Sequence, residues 1–272
     1  MKNLTDDLKV KLSRLEEVFN NYEKVLVALS GGVDSCLAAF LGRKFLGKEN
    51  SVSVISNSES LKEKDYKIAL EFCKTNDIKY EVIYTEELSN PEYAANPDNR
   101  CYFCKSELFG TMNKLAEERF QNYRILNGNN YSDLGDYRPG LNAAKEQESF
   151  APFIECKITK KDIRDLAFYF NLSVWDKPAS PCLSSRFPYG EQITKEKLKR
   201  VEEAEEILNE FGFDEVRVRS YGDKAKIEVP KEKVSILKEK FENIESKIKQ
   251  IGFSACEVDS EGFISGKLNR AL

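Results

Sequence analysis

Leu4, Leu8, Leu12, Leu15 and Phe19 recur every three or four positions, which predicts an amphipathic helix over 4–19. The apolar run KVLVAL at 24–29 predicts a buried strand, and SCLAAFLGRKFLG, from Ser35 onward, predicts a helix. The alternation continues with strands at 51–56, 79–84 and 123–128 and helices at 61–76, 104–119 and 159–170. Strands and helices of these lengths in alternation predict an α/β fold, a mostly parallel sheet with helices on both faces. Ligands of such sheets sit at the carboxyl ends of the strands.

Past FPYGEQIT the pattern changes. Residues 195–210 predict a charged amphipathic helix, while EVRVRS (215–220) and AKIEV (225–229) alternate with period two around a YGDK hairpin turn. A helix near 231–250 and a strand near 253–258 complete a small C-terminal α+β unit. The change of pattern near 188–193 divides the chain into a first domain over 1–190 and a second over 191–272.

Charge narrows the partners. With 42 basic and 46 acidic residues the net charge is −4, so the chain carries no general attraction to nucleic acid or to membranes. The opening MKNLTDDLKVKLSRLEE is charged throughout, and no apolar run approaches the length of a bilayer span, so a cytoplasmic protein is expected. Its seven cysteines then read as thiols or ligands rather than as a disulfide frame. The chain contains no histidine. The usual general base and the commonest nitrogen ligand are therefore missing, and any metal must be held mainly by Cys, Asp or Glu.

SGGVDS (30–35) lies between the first strand and its helix. Gly31 and Gly32 let the backbone turn tightly and approach a ligand, and the amides that follow form a nest for phosphate oxygens. Ser30 and Ser35 add hydroxyls, and Asp34 is placed to hold Mg²⁺ against the phosphates. The lysine of a Walker loop is absent, so this is a different nucleotide loop.

In EVRVRS, alternation sends Val216 and Val218 to one face and Arg217 and Arg219 to the other, a fork suited to phosphate or carboxylate. Arg138 and Arg186, in loops containing Pro and Gly, offer further donors. Cys182 lies in KPASPCLSSRFPYG, a loop bounded by prolines in which an exposed thiol is expected. Cys101 and Cys104 form a C-x-x-C, whose spacing suits a redox pair, part of a zinc or iron–sulfur site, or two packed thiols. Cys36, Cys73, Cys156 and Cys256 lie in or beside helical or strand patterns and are assigned to packing.

SGGVDS after a first strand resembles the PP-loop of the ATP pyrophosphatases, which have the adenine nucleotide alpha hydrolase-like fold; the likeness covers about 24–185. It implies that ATP is cleaved to AMP and pyrophosphate while a substrate oxygen is adenylated. It also implies that Ser56, Asn57 and Ser58 face adenine, and that NGNNYSD (127–133) lies beside the phosphates. Gly128 would then contact ATP and Asp133 would be a second Mg²⁺ ligand.

GDYRPG (135–140), SRFPYG (185–190) and VRVRS (216–220), in that order, resemble the LarE family of sulfurtransferases of nickel-pincer cofactor assembly, with the match running to GFISGKLNR (262–270). The resemblance implies conversion of the carboxylates of pyridinium-3,5-biscarboxylic acid mononucleotide to thiocarboxylates. Arg138, Ser185, Arg186, Arg217 and Arg219 would bind that substrate. Some members give up the sulfur of one cysteine in the later loop and end as dehydroalanine. Others also carry a C-x-x-C and hold a [4Fe-4S] cluster on three cysteines, which Cys101, Cys104 and Cys182 match. One iron of such a cluster lacks a protein ligand and can bind hydrosulfide. Because both types place a cysteine in the later loop, a sacrificial Cys182 stays open. Family members form oligomers, so a homo-oligomer is expected.

Two other readings are a PP-loop tRNA-thiolating enzyme with an iron–sulfur cluster and a non-catalytic nucleotide-binding protein with a structural zinc. Neither flanking zinc-knuckle cysteines nor an extended basic face is present to favour RNA.

Overall fold

The computed structural model describes residues 4–135, 139–264 and 267. Arg138, one of the expected substrate ligands, lies outside them. The chain forms two compact units, one of residues 1–87 and 99–180 and one of residues 88–98 and 181–272.

The first unit opens with α1 (Asp6–Tyr22), β1 (Val25–Ala28) and α2 (Val33–Leu46). It continues with β2 (Ser51–Asn57), α3 (Glu63–Thr75) and β3 (Lys79–Tyr84). A short helix, α4 (Pro91–Ala94), belongs to the second unit. The chain then returns to the first through α5 (Arg100–Arg119), β4 (Arg124–Leu126), α6 (Gly140–Glu146), α7 (Pro152–Glu155) and α8 (Lys160–Tyr169). The four strands are parallel, in the order β3-β2-β1-β4.

Both faces of this sheet are covered, which explains why β1 reads as an unbroken apolar run. Val25 and Val27 enter a core with Leu15 and Phe19 of α1, Leu37 and Leu41 of α2, and Ile163 and Leu166 of α8. Leu26, one step out of phase, enters a second core with Phe109 and Met112 of α5. β2 divides likewise, Ile55 to the first core and Val52 and Val54 to the second.

The second unit contains α9 (Lys195–Glu210), β5 (Arg217–Tyr221), β6 (Lys224–Glu228), α10 (Val234–Glu239), α11 (Phe241–Gln250) and β7 (Ala255–Val258). β5 and β6 are antiparallel and β7 runs parallel to β6. The single helix expected over 231–250 is broken at Lys240, which ends α10 and precedes α11. The break lets Leu237 and Ile244 both reach the core.

The expected division at residue 190 differs from the one observed. Residues 181–190 pack in the second unit because Leu183 and Phe187 are fully buried in its core. The excursion 88–98 joins them through backbone bonds from Gly190 N to Asn96 O (2.9 Å) and from Ile193 N to Ala94 O (2.8 Å). Asn96 Nδ2 donates to Pro188 O (2.6 Å), and the Tyr93 and Ser184 hydroxyls lie 2.6 Å apart. No helix among the described residues is long and apolar enough to cross a membrane.

Candidate functional site

Gly32 precedes α2 with extended backbone and no side chain caps the helix, so its first-turn amides are not spent on a capping side chain. Gly31 takes φ +75°, and a Cβ there would lie 2.6 Å from Asp65 O. Ser35 Oγ accepts from Ser30 N (3.1 Å) and donates to Gly32 O (3.0 Å), so this hydroxyl folds the loop on itself. Ser30 Oγ stands 3.2 Å from it.

Three residues not singled out in the sequence, Lys177, Asp65 and Ser180, brace this loop. Lys177 Nζ donates to Gly31 O and to Asp65 Oδ1, both at 2.7 Å, and Ser180 Oγ donates to Asp65 Oδ2 (2.6 Å). Asp65 is buried and Lys177 half-buried, with side chains 7% and 15% exposed, so the pair is partly shielded from the screening that makes surface pairs weak.

The segment after β4 closes on the same loop. Gly128 packs so tightly that a Cβ would sit 2.8 Å from Ser35 N. Asn130 Nδ2 donates to Asp34 Oδ1 (3.1 Å) and to Asp133 Oδ2 (3.0 Å), so one amide joins the two carboxylates expected to hold Mg²⁺. Lys160 Nζ donates to Asp34 Oδ2. Asn130 falls in the segment expected beside the phosphates, whereas Lys160 is not singled out by the sequence. The Thr159–Asp162 capping box announces the start of α8, but nothing local says that Lys160 meets Asp34.

Ser56, Asn57 and Ser58 stand at the end of β2, the strand paired in parallel with β1. Ser56 Oγ lies 2.7 Å from Thr85 Oγ1, and Ser58 Oγ lies 3.3 Å from Ser60 Oγ, which donates to the buried Glu87 (2.6 Å). The carboxyl ends of β1, β2 and β4 thus carry the phosphate loop, the serine-rich segment and the Asp133 segment.

Cys101 (exposed) and Cys104 (half-buried) occupy the first turn of α5 in the first unit, and Cys182 (half-buried) lies in the second. Among the described residues no three Cys, Asp or Glu side chains are gathered as metal ligands. The other cysteines pack as expected. Cys36, Cys73 and Cys156 lie in the first core and Cys256 packs against that of the second unit. Burial pushes the thiols of Cys73 and Cys256 up to about 12 and that of Cys156 up to about 11, and raises Cys36 as well. In native protein at pH 8, alkylation is therefore expected at Cys101, Cys104 and Cys182 and to spare the buried Cys36, Cys73 and Cys156 until denaturant is added. Peptide mass spectrometry reads the two classes, and rapid labelling of Cys73 would contradict this.

The second unit gathers Ser185, Arg186, Arg217 and Arg219. Arg186, fully buried, forks onto Glu205 through Nε (2.7 Å) and Nη2 (3.0 Å). Its Nη1 donates to Pro181 O (3.0 Å), Cys182 O (3.2 Å) and Ser185 Oγ (2.8 Å). Cys182 O also accepts from Ser185 Oγ (2.8 Å) and Ser185 N (3.0 Å), so three donors fix the backbone beside the thiol. Arg219 donates twice to Glu228 Oε2 (3.0 and 2.9 Å) and once to Ser185 O (2.6 Å).

Both strand arginines are buried, Arg219 is matched to Glu228, and Arg186 shapes the Cys182 loop. Arg217 lies over the Phe263 ring, and burial together with the nearby Arg186 and Arg219 pulls its guanidinium down to about 10.

A family model described as NAD synthase matches residues 4–114, the region of the phosphate loop and the first three strands. An uncharacterized protein of Synechocystis sp. is 43% identical, covering 97% of this chain and 99% of its own length. An uncharacterized protein of Methanocaldococcus jannaschii is 32% identical over 93% of this chain and 95% of its own. A pyridinium-3,5-bisthiocarboxylic acid mononucleotide synthase of Lactiplantibacillus plantarum is 31% identical over 97% of this chain and 96% of its own. That likeness spans both units, from the phosphate loop to the arginine strand, and on it the chain belongs to the LarE family of PP-loop enzymes.

Proposed function

We propose that this chain is an ATP-dependent sulfurtransferase that converts the carboxylates of pyridinium-3,5-biscarboxylic acid mononucleotide to thiocarboxylates. One observation carries the reading. A phosphate loop with Asp34 and Asp133 joined on one amide stands in a chain that matches, along nearly its whole length, a synthase of the bisthiocarboxylic product.

A carboxylate oxygen is a poor leaving group, and adenylation replaces it with a good one. A substrate carboxylate oxygen attacks the α-phosphorus of ATP and pyrophosphate departs. A sulfur nucleophile then adds to the carbonyl, and AMP leaves with the former carboxylate oxygen. The first-turn amides of α2 hold phosphate oxygens. Asp34 and Asp133 fit Mg²⁺, a cation that prefers carboxylate oxygens and that would neutralise charge building on the pyrophosphate. Ser56, Asn57 and Ser58 line the adenine side. Arg217 and Ser185, with Arg138, take the phosphate or carboxylates of the substrate.

Cys101, Cys104 and Cys182 would hold a [4Fe-4S] cluster, which supplies one iron without a protein ligand as a place for hydrosulfide. In support, these are the three cysteines that belong to none of the apolar cores.

The test is anaerobic incubation with ATP, Mg²⁺, sulfide and the dicarboxylate, following pyrophosphate and the mass of product and protein. Pyrophosphate release that depends on the dicarboxylate, with oxygen replaced by sulfur in the product and the protein mass unchanged, is expected. ATP bound but never cleaved overturns the enzyme reading. Loss of H₂S from Cys182 shifts the sulfur source to that side chain. Reconstituted protein should bind about four irons, and a full complement in Cys104→Ala removes the cluster.

A further inference from the structure

Two lysines meet the phosphate loop, and they are built differently. Lys177, only 15% exposed at its side chain, is held by Asp65 and by a loop carbonyl, a fixed brace. Lys160 on Asp34 is open, with side chains 39% and 23% exposed. Its backbone is anchored, because Lys160 is the first residue of α8 behind the Thr159–Asp162 capping box and its amide donates to Ser132 Oγ (3.1 Å). Its ammonium, at the end of a long flexible stem, occupies Asp34 Oδ2, while Asn130 holds Oδ1 and ties it to Asp133.

We propose that Lys160 is an exchangeable counter-ion of the nucleotide site: it occupies Asp34 in the resting protein, yields that oxygen to the divalent cation of ATP, and passes its ammonium to the phosphates. The proposal rests on the reading of the loop as an ATP site. Three observations carry it beyond that reading. First, the carboxylate best placed for a cation is already occupied by a positive charge, so the cation must displace it. Second, the pair is open to water and the displaced ammonium is replaced cheaply, unlike that of Lys177. Third, the displaced ammonium stays tethered beside the uncapped start of α2, where phosphate oxygens would bring the negative charge it has lost.

Exchange makes the two binding steps respond in opposite directions when Lys160 is removed. The experiment uses full-length Lys160→Gln and Lys160→Arg. Mn²⁺ binding without nucleotide is read by electron paramagnetic resonance, and α,β-methylene-ATP binding in excess Mg²⁺ by calorimetry. Lys160→Gln is expected to bind Mn²⁺ about twofold to fivefold tighter and the analogue weaker by a similar factor, the range an open ion pair supports. Lys160→Arg should return the analogue affinity towards wild type. Equal affinities in Lys160→Gln and wild type, or a loss of both, overturn the proposal and leave Lys160 a surface pair or a structural support. A wild type that binds Mn²⁺ but no nucleotide overturns the ATP-site reading, and the proposal with it.

Discussion

Glu205→Ala is expected to lower the unfolding free energy by about 3–5 kcal/mol, the usual result of stripping one partner from a buried ion pair. The reason lies in what Glu205 alone satisfies. Its Oε1 accepts from Arg186 Nε (2.7 Å) and from the Val218 amide of β5 (3.1 Å), and its Oε2 from Arg186 Nη2 (3.0 Å). Arg186 is fully buried and Glu205 is 6% exposed at its side chain, so water cannot replace the lost carboxylate. Urea unfolding reads the effect as a lower midpoint at an unchanged slope.

A second variant separates stability from positioning. Arg186→Met with Glu205→Leu removes both charges and fills the space with apolar atoms, a change that is often neutral or stabilising for buried pairs. Stability is expected to return only part of the way towards wild type, because the Val218 amide still lacks the acceptor that Glu205 gave it. Thiolation is expected to be impaired, because Cys182 O and Pro181 O have lost the Arg186 guanidinium that held them. Full activity in the double variant would show that the Cys182 loop needs no such clamp.

This clamp also marks where the sequence stops being legible. The sheet and the phosphate loop are local facts: a strand, two glycines and a helix follow one another within 24–46. Period two in EVRVRS correctly separates Val216 and Val218 from Arg217 and Arg219. It cannot say that the arginine face is itself covered, by Phe263 and by the loop around Ser185. The brace of Lys177 on Asp65 joins residues 112 positions apart, and Lys160 meets Asp34 across 126. Each partner alone is an ordinary surface charge in the sequence. Nothing in the sequence of the excursion 88–98 announces its unit; its bonds to residues 184–193 assign it to the second.

Gly128→Ala tests the spacing on which the ATP site rests. Gly128 does not need its conformational freedom; what it lacks is room. An added Cβ would meet Ser35 N at 2.8 Å, Ser35 Cα at 3.0 Å and the Asp34 carbonyl carbon at 3.1 Å, all backbone at the start of α2. No side chain can swing aside, so the segment after β4 must back away, taking Asn130 and Asp133 from Asp34. Overpacking of this kind costs about 1–3 kcal/mol, which a unit with two apolar cores survives. Catalysis is more sensitive, since a displacement near 1 Å in a reacting site costs about 100-fold. The expected result is a folded protein with pyrophosphate release reduced by about two orders of magnitude. Gly110→Ala is the comparison, because a Cβ at Gly110 in α5 meets nothing within 4 Å and is expected to leave the rate unchanged. If both variants turn over like wild type, the separation of the two loops does not govern the reaction. If Gly128→Ala alone loses activity while holding its fold, the closeness of Gly128 to Ser35 is what keeps the two carboxylates on one amide.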